Sequence, residues 1–255
     1  MRTPDLLIDR RYYLIPRWPA PSAVRAVSTT RGGGHSGGPF ESLNLGLRCG
    51  DDPETVQRNR QVLTEDLRLR REPRWLRQVH GASVAGDDAD QGELEADASV
   101  TSQKGVACSV LTADCLPVLL CTLDGERVAA AHAGWRGLAA GVLEETVAEM
   151  GRPAETILAW MGPAIGAQVF EVGGEVRDVF HERDPGCGDC FAPSSRGRWL
   201  ADLSALARRR LNRAGVTRIY GSGGCTYSEP ERFFSYRRDC ETGRMASLIW
   251  IVESG

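Results

Sequence analysis

The sequence predicts one α/β domain, with both β-strands and α-helices along the chain. Short apolar runs of strand length are separated by longer segments whose apolar residues recur at helical spacing. The 255 residues are 42% apolar and 25% charged, which provides enough apolar material for a sizeable core. No internal repeat, low-complexity linker or shift in composition divides the chain, so we expect a single domain over residues 1–255.

The predicted strands are short apolar or β-branched runs bounded by glycine, proline or charged residues. Three of them follow one another closely after a polar, acidic stretch at 87–97, and their lengths suit strands buried on both faces. The longest apolar run, 115–123, is far shorter than the roughly 18 residues that a membrane helix needs. In chain order the predicted strands are 24–30, 75–79, 105–112, 116–122, 128–133, 156–161, a strand around Ile219, 233–236 and 245–252.

The predicted helices have apolar residues on one face at a period of 3.6. In the first, Pro53 stands in the opening turn, where a missing N–H costs nothing, and Val56 and Leu63 share a face. The predicted helices are 53–70, 137–150, 171–182 and 199–212. The remaining long segments are a glycine-rich loop at 31–46 and a loop at 183–197, which we expect to be exposed.

Charge and the amino terminus narrow the class of protein. The 31 basic and 34 acidic side chains give a formal net charge of −3 with no basic block, which argues against a nucleic-acid-binding protein and favours a small ligand. Residues 1–11 are charged and lack a long apolar stretch, so we expect no signal peptide, no membrane span and a cytoplasmic protein.

The eight cysteines raise the question of disulfide, metal site or nucleophile. In a reducing cytosol a disulfide framework is the least expected of these. Cys187 and Cys190 form a single CxxC pair, which without a second pair or a thioredoxin-like context is a poor zinc or redox motif. We interpret them as incidental cysteines and keep a second metal or redox site as the alternative.

His80, Cys115 and His132 are candidate metal ligands, because each stands at the end of a predicted strand among small residues. Their separations match no local zinc motif, so only the fold can bring them together. Taken singly, each histidine is more often structural than functional, and a cysteine beside an apolar run is usually an inert core thiol. Two imidazoles and a thiolate would leave one tetrahedral position open, as in a catalytic zinc site that activates water. Asp97 or Asp114 would orient a histidine.

The glycine-rich loop carries a GxGxxG match that is not a dinucleotide-binding fingerprint. That fingerprint must open a helix, whereas here Gly38-Pro39 follows and the next helix begins near Pro53. The loop is either an ordinary surface loop or an anion site in which backbone N–H groups act together with side-chain donors. Arg136, at the start of a predicted helix, is a further candidate for phosphate. The candidate donors of the loop are Arg31, Ser36 and Asn44.

Several separate blocks of sequence make the chain similar to the YfiH/PgeF family over about residues 24–252. That family is described variously as a peptidoglycan editing factor, a laccase-like polyphenol oxidase and a purine nucleoside phosphorylase. The blocks are T-R-G-G at 30–33, S-L-N-L-G at 42–46, Q-V-H-G at 78–81, T-A-D-C-L-P at 112–117, H-A-G-W-R-G at 132–137, G-P-A-I-G at 162–166 and F-F-S-Y-R-R at 233–238.

The resemblance implies a zinc site at the positions of His80, Cys115 and His132, in a single α/β domain of layered mixed β-sheets flanked by helices. It also implies phosphorolysis of adenosine, inosine and methylthioadenosine, and hydrolytic deamination of adenosine. Purine nucleosides and phosphate are then the expected partners. The residues expected to bind substrate or phosphate, or to support the ligands, are Arg31, Ser36, Asn44, Asp97, Asp114 and Arg136.

Three other functions remain open from the sequence. Nitrogen and sulfur ligands bind Cu(II) at least as tightly as Zn(II), which allows a copper-dependent polyphenol oxidase. A metal-free hydrolase would use Cys115 as nucleophile and His132 as its base. A non-enzymatic editing factor for cell-wall precursors would need none of the pocket side chains.

Overall fold

The computed structural model describes residue 9 and residues 11–88, 94–221 and 223–253. The predictions for the amino-terminal residues 1–11 and for the polar stretch 87–97 therefore lie partly outside the described residues. No helix in the described ranges combines the length and apolar character needed to cross a membrane. The expectation of one domain over residues 1–255 stays a prediction.

Strands and helices are mixed along the described part of the chain, and seven strands follow one another between the first α-helix and the second. Its strands are β1 (Tyr13–Leu14), β2 (Val24–Thr29), β3 (Leu76–Arg77), β4 (Val84–Ala85), β5 (Leu94–Glu95), β6 (Ala98–Thr101), β7 (Ala107–Thr112), β8 (Leu116–Thr122), β9 (Val128–Ala133), β10 (Ile157–Met161), β11 (Glu171–Val172), β12 (Phe191–Pro193), β13 (Trp199–Ala201), β14 (Arg218–Gly221) and β15 (Met245–Ile251). Its α-helices are α1 (Pro53–Asp66), α2 (Trp135–Ala140), α3 (Val142–Glu149), α4 (Gly174–Arg183), α5 (Leu203–Arg213) and α6 (Tyr236–Asp239).

Two sheets form the centre of the molecule. One has four antiparallel strands in the order β1-β2-β15-β7. The other has six strands in the order β14-β10-β8-β9-β6-β4, with parallel pairs at its two edges and antiparallel pairs between them. Smaller sheets, β11-β13-β12 and β3-β5, lie outside them.

Strands buried on both faces explain the layering. Along β8, Val118 belongs to the core that helices α2 to α5 cover, while Leu119 belongs to the core between the two large sheets, because successive side chains of a strand point to opposite faces. In β15, Ile249 joins the inter-sheet core and Leu248 packs with Leu63 of α1. The order of layers is α1, four-stranded sheet, six-stranded sheet, helices, which confirms the predicted α/β class.

The predicted strands 116–122 and 128–133 are confirmed residue for residue, and the predicted helices differ more. The helix 137–150 is broken into α2 and α3 at Gly141, whose φ of +104° ends one helix and starts the next. The helix 199–212 begins with strand β13, and α5 starts only after Asp202, whose side chain accepts a hydrogen bond from the Ala205 N–H. The helix 171–182 likewise begins with strand β11, and α4 follows it.

Two further predictions near the carboxyl-terminal half are wrong. Residues 233–236 are not a strand: Phe233 and Phe234 are buried in a loop, and Ser235 caps the short helix α6. The segment 183–197 is not uniformly exposed, because Cys187 and Cys190 are buried in a 3₁₀ turn beside α4. Hydrophobic side chains in irregular backbone do not show the periodicity on which the predictions rest.

Candidate functional site

The backbone brings His80, Cys115 and His132 together at one end of the six-stranded sheet. His132 is in β9, Cys115 directly precedes β8, and the β8–β9 pairing sets Leu116 opposite Ala133. His80 lies in the loop that follows β3. The candidate ligand atoms of the three residues lie within 4.8 Å of one another, and Cys115 Sγ is 3.9 Å from His80 Nε2.

Asp97 fixes the geometry of both histidines. Its Oδ1 accepts hydrogen bonds from His132 Nδ1 at 2.8 Å and from the His80 backbone N–H at 2.9 Å. Its Oδ2 accepts from the backbone N–H groups of Val79 at 3.1 Å and Gly81 at 2.7 Å. Because Nδ1 of His132 is held by the carboxylate, its Nε2 is the ring atom left for a metal, an arrangement common among metal-binding histidines.

The charges of the cluster stabilise one another. Burial by itself would raise the pKa of Cys115, but the neighbouring His132 and His80 outweigh it and lower that pKa below the usual range of a thiol. Burial would lower the pKa of His132, yet the Cys115 thiolate and Asp97 raise it. Burial opposes the ionised form of Asp97, and its hydrogen bonds to His132 and to the backbone still lower its pKa. The cluster therefore favours a thiolate, which is the form of cysteine that binds metals.

Two residues of the site adopt backbone conformations that side chains other than glycine rarely adopt. His80 has φ +61° and Asp114, next to Cys115, has φ +98°. Asp114 is held in this conformation by two contacts: its Oδ1 accepts from the Thr226 hydroxyl at 2.6 Å and its Oδ2 from the Arg237 N–H at 2.7 Å. Such strain is maintained only where surrounding contacts fix it, and it often marks functional sites.

Gly134 makes room for the cluster. A Cβ atom at this position would lie 2.8 Å from Cys115 Sγ and 3.3 Å from His80 Cδ2. Its backbone, at φ −65° and ψ 162°, is accessible to any residue. Glycine is therefore required here by the close approach of the ligands and not by its own conformation.

The cluster opens into a cavity of about 660 Å³. This is within the size range of small-molecule sites. Among the described residues that line it, six are arginines and a single one, Asp114, is acidic. Arg60 and Arg77 are ion-paired with Glu72 and Glu95 outside the lining, and the balance of charge at the cavity still favours anions. The six arginines are Arg48, Arg60, Arg77, Arg136, Arg237 and Arg244.

Of the residues expected to bind substrate or phosphate, Arg136 and Asp114 line the cavity, and Asp97 supports the histidines from behind. Arg31, Ser36 and Asn44 are not among its lining residues. Arg31 donates to the backbone carbonyls of Glu41 and Pro230. Ser36 and Asn44 are buried and both donate to Asp51. Asn44 Oδ1 also accepts from the Arg244 N–H at 2.9 Å, so this loop builds the wall behind the cavity.

Other cavity residues were not identified from the sequence. Arg244 lies outside the blocks that carry the family resemblance, whereas Tyr236 lies in the F-F-S-Y-R-R block, where residues 233–236 are predicted to be a strand. In the Arg237-Arg238 pair, Arg237 lines the cavity. The Arg238 side chain donates to the carbonyls of Thr226, Tyr227 and Phe233 and is structural. Only the tertiary structure shows that these two neighbouring arginines have different roles.

The CxxC pair lies away from this site. Cys187 and Cys190 belong to the core beneath α4 and α5, and burial raises the pKa of both thiols, that of Cys190 to about 11. Neither is a member of the His80–Cys115–His132 cluster, the group of potential metal ligands found in the described ranges. Their burial fits the interpretation as incidental core cysteines.

The distances between the ligand atoms of the cluster are compatible with a tetrahedral metal site. With metal–nitrogen bonds of about 2.0–2.1 Å and metal–sulfur bonds of about 2.3 Å, tetrahedral ligand atoms lie roughly 3.3–3.8 Å apart. The 3.9 Å between Cys115 Sγ and His80 Nε2 is slightly longer than this spacing, and a small rotation of the side chains would bring these atoms to it. Among the described residues the group supplies three protein ligands, so a fourth position would be open, as in catalytic sites.

Comparison with known proteins places the chain in a family. Residues 25–252 match the family model described as multi-copper polyphenol oxidoreductase laccase. A purine nucleoside phosphorylase of Pseudomonas aeruginosa is 55% identical over 242 residues, covering 94% of this chain and 99% of that protein. The purine nucleoside phosphorylase YfiH of Escherichia coli is 52% identical over 240 residues, covering 94% and 98%.

Comparison with solved structures gives the same result for the fold. The crystal structure of a Neisseria meningitidis protein superposes with a TM-score of 0.92 at 49% identity, covering 95% of this chain and 100% of that one. The predicted resemblance is thus confirmed in sequence and in structure. Because the family model matches residues 25–252 and two relatives are more than 50% identical, the chain belongs to the YfiH family, also described as the multi-copper polyphenol oxidoreductase laccase family.

Proposed function

We propose that this protein is a zinc-dependent purine nucleoside enzyme. In this proposal it cleaves adenosine, inosine and methylthioadenosine with phosphate and deaminates adenosine with water. The observation that carries the proposal is the juxtaposition of the His80–Cys115–His132 cluster with an arginine-lined cavity of about 660 Å³. The names of the relatives, purine nucleoside phosphorylases at up to 55% identity, agree with it. We further propose that it acts in the cytoplasm.

The arginines of the cavity supply the phosphate site in this proposal. The guanidinium of Arg237 donates to the Glu171 carbonyl, and that of Arg244 donates to the carbonyls of Thr242 and Gly243. Neutral carbonyl oxygens orient these groups and leave their charge uncompensated. Arg136 is exposed and stacks on Trp135, 4.5 Å from the ring centroid. Charge-assisted hydrogen bonds from such arginines are the strongest that a phosphate receives.

His80, Cys115 and His132 would hold the zinc, which when bound would supply a Lewis acid that activates water or polarises a substrate atom. Asp97 holds both histidines and keeps the ring of His132 oriented. Asp114 fixes the backbone beside Cys115 and, through Thr226 and Arg237, ties it to the opposite wall. Asp97 and Asp114 thus orient the three potential ligands.

The test is product analysis with adenosine in phosphate and in phosphate-free buffer. Phosphorolysis joins a phosphate oxygen to C1′ of the ribose and releases adenine with a proton on nitrogen, giving ribose 1-phosphate. Deamination adds water at C6 and releases ammonia, giving inosine. We expect adenine and ribose 1-phosphate only with phosphate, and inosine in both buffers. Absence of all three products from zinc-loaded protein would refute the proposal.

A matched pair of cysteine variants assigns the activity to the cluster. Cys115→Ser removes the thiolate ligand and is expected to abolish both reactions, whereas Cys240→Ser alters an exposed thiol and is expected to abolish neither. A metal-free hydrolase using Cys115 as nucleophile would retain activity with a chelator present and would form a covalent adduct with an alkylating probe. Chelator-sensitive turnover without such an adduct supports the zinc enzyme.

The family description favours one second candidate, a copper-dependent polyphenol oxidase. Four-electron reduction of oxygen requires several coppers, and the described residues contain a single cluster of three potential ligands. Metal analysis of protein purified without added copper, followed by oxygen uptake with a phenol, separates the two. Stoichiometric copper with strong oxygen uptake would establish the oxidase instead. A non-enzymatic editing role in cell-wall assembly would be indicated by a cellular phenotype that is unchanged after loss of the pocket side chains.

A further inference from the structure

Tyr236 lines the cavity with an aromatic ring that the protein leaves uncovered. It is 58% exposed, the largest value among the large apolar side chains exposed in the described residues. Leaving an aromatic surface in water is unfavourable, so such a ring inside a binding cavity indicates a surface that a ligand covers.

The other aromatic rings of the cavity are already stacked. Arg60 lies 4.1 Å from the ring centroid of Trp75, Arg136 lies 4.5 Å from that of Trp135, and Arg237 lies 5.2 Å from that of Phe170. The cation nearest to Tyr236, that of Arg244, is farther away, at 5.9 Å. Among the Trp, Phe and Tyr side chains that line the cavity, Tyr236 therefore has the most distant cation and the most exposed ring.

The backbone beneath Tyr236 is fixed relative to the metal cluster. Ser235 accepts a hydrogen bond from the Arg238 N–H at 3.3 Å, and the Tyr236 carbonyl accepts from the Cys240 N–H at 2.9 Å. The next residue, Arg237, donates its N–H to Asp114, the neighbour of Cys115. The backbone that carries the ring is thus held at a set place on the wall, which a stacking surface requires.

We propose that Tyr236 is the platform on which the purine ring of the substrate stacks, with Leu47 adding apolar contact on the same cavity. This inference rests on the proposed function and names the base-recognition element of that site. Arg244, held by Thr242 and Gly243 beside the ring, lies where it can meet the phosphate while the base covers the tyrosine. Tyr236 acts through its ring face, so its hydroxyl is dispensable.

The test is calorimetric binding of inosine to zinc-loaded protein in phosphate-free buffer, where neither proposed reaction consumes it. Tyr236→Ala is expected to weaken inosine binding by about 5- to 150-fold, the range for loss of one base–aromatic stack. Tyr236→Phe keeps the ring and is expected to bind within about twofold of the wild type. Ribose 1-phosphate, which has no base, is expected to bind the wild type and Tyr236→Ala equally.

Val179→Ala is the matched control, because Val179 is an exposed apolar side chain of α4 that does not line the cavity. Zinc content is measured for every variant, and Tyr236→Leu, which keeps apolar bulk, replaces the alanine variant if that variant loses zinc. Unchanged inosine binding by a zinc-replete variant that lacks the ring would overturn the stacking role and leave the proposed function standing. Failure of the wild type to bind inosine would overturn both.

Discussion

Replacement of Asp97 by asparagine is the sharpest test of how the metal cluster is held. The carboxylate accepts four hydrogen bonds, two on each oxygen. An asparagine has one acceptor oxygen, and its NH₂ group must face two donors. In one orientation these donors are the His132 ring and the His80 N–H; in the other they are the N–H groups of Val79 and Gly81.

Asp97→Asn therefore leaves two hydrogen-bond donors without an acceptor. Each donor left without an acceptor costs about 1–3 kcal/mol, so the free energy of unfolding is expected to fall by about 2–6 kcal/mol. Zinc affinity is expected to fall by about 10- to 100-fold, the usual effect of losing the partner of a metal-binding histidine. The effect on affinity arises because Asp97 orients both histidines, through the ring of one and the backbone of the other.

Zinc affinity is measured by competition with a chromogenic chelator, and stability by urea unfolding of the metal-free protein. Asp87→Asn is the matched control, since Asp87 also accepts several hydrogen bonds, from Thr101 and Ser102, but lies outside the cluster. It is expected to lower stability and leave zinc affinity unchanged. If the Asp97 variant bound zinc as tightly as the wild type, the assignment of Asp97 as a positioning residue would be refuted.

Three further variants probe the ligands, the anion site and the periphery. Gly134→Ala places a methyl group 2.8 Å from Cys115 Sγ, so we expect it to lose most of its bound zinc, measured by elemental analysis. Arg136→Ala is expected to raise the KM for phosphate about tenfold in the phosphorolysis assay. Asp184→Asn removes the negative charge and one of the two oxygens that accept hydrogen bonds from Arg209, and we expect it to lower the free energy of unfolding by about 1–3 kcal/mol at pH 7.

The loss of stability expected for Asp184→Asn depends on pH. The Arg209 guanidinium lowers the pKa of Asp184 below its ordinary value of 3.8, so the stabilisation is present above that value and is lost as the pH falls. A difference between wild type and Asp184→Asn that does not shrink as the pH falls below 3.8 would contradict the ion pair. Gly174→Ala, where a Cβ has open space, should keep its zinc, and Arg218→Ala, on an exposed edge, should keep the KM for phosphate. If Gly174→Ala lost as much zinc as Gly134→Ala, or if Arg218→Ala raised the KM for phosphate as much as Arg136→Ala, the positions of Gly134 and Arg136 at the site would not explain their effects.

Strand prediction was most accurate where strands are buried on both faces. The run 116–122 is apolar because one set of its side chains meets the helices and the other meets the second sheet. Helix prediction failed where one polar or small residue changes the backbone. Asp202 had been placed inside a helix, yet its side chain caps α5, and Gly141 divides a segment whose apolar spacing is continuous. Periodicity reports which side chains are buried and says less about where a helix starts.

The sequence by itself determined the α/β class, the family resemblance and the identity of the potential ligands His80, Cys115 and His132, because these depend on residue type and local order. Only the tertiary structure decided that the three lie within 4.8 Å, since they are far apart in the chain and meet through strand pairing. It also moved the expected anion donors. Arg31 donates to the carbonyls of Glu41 and Pro230 away from the cavity lining, while Arg237 and Arg244 face the cavity, because the partners of a side chain are set by packing between distant segments.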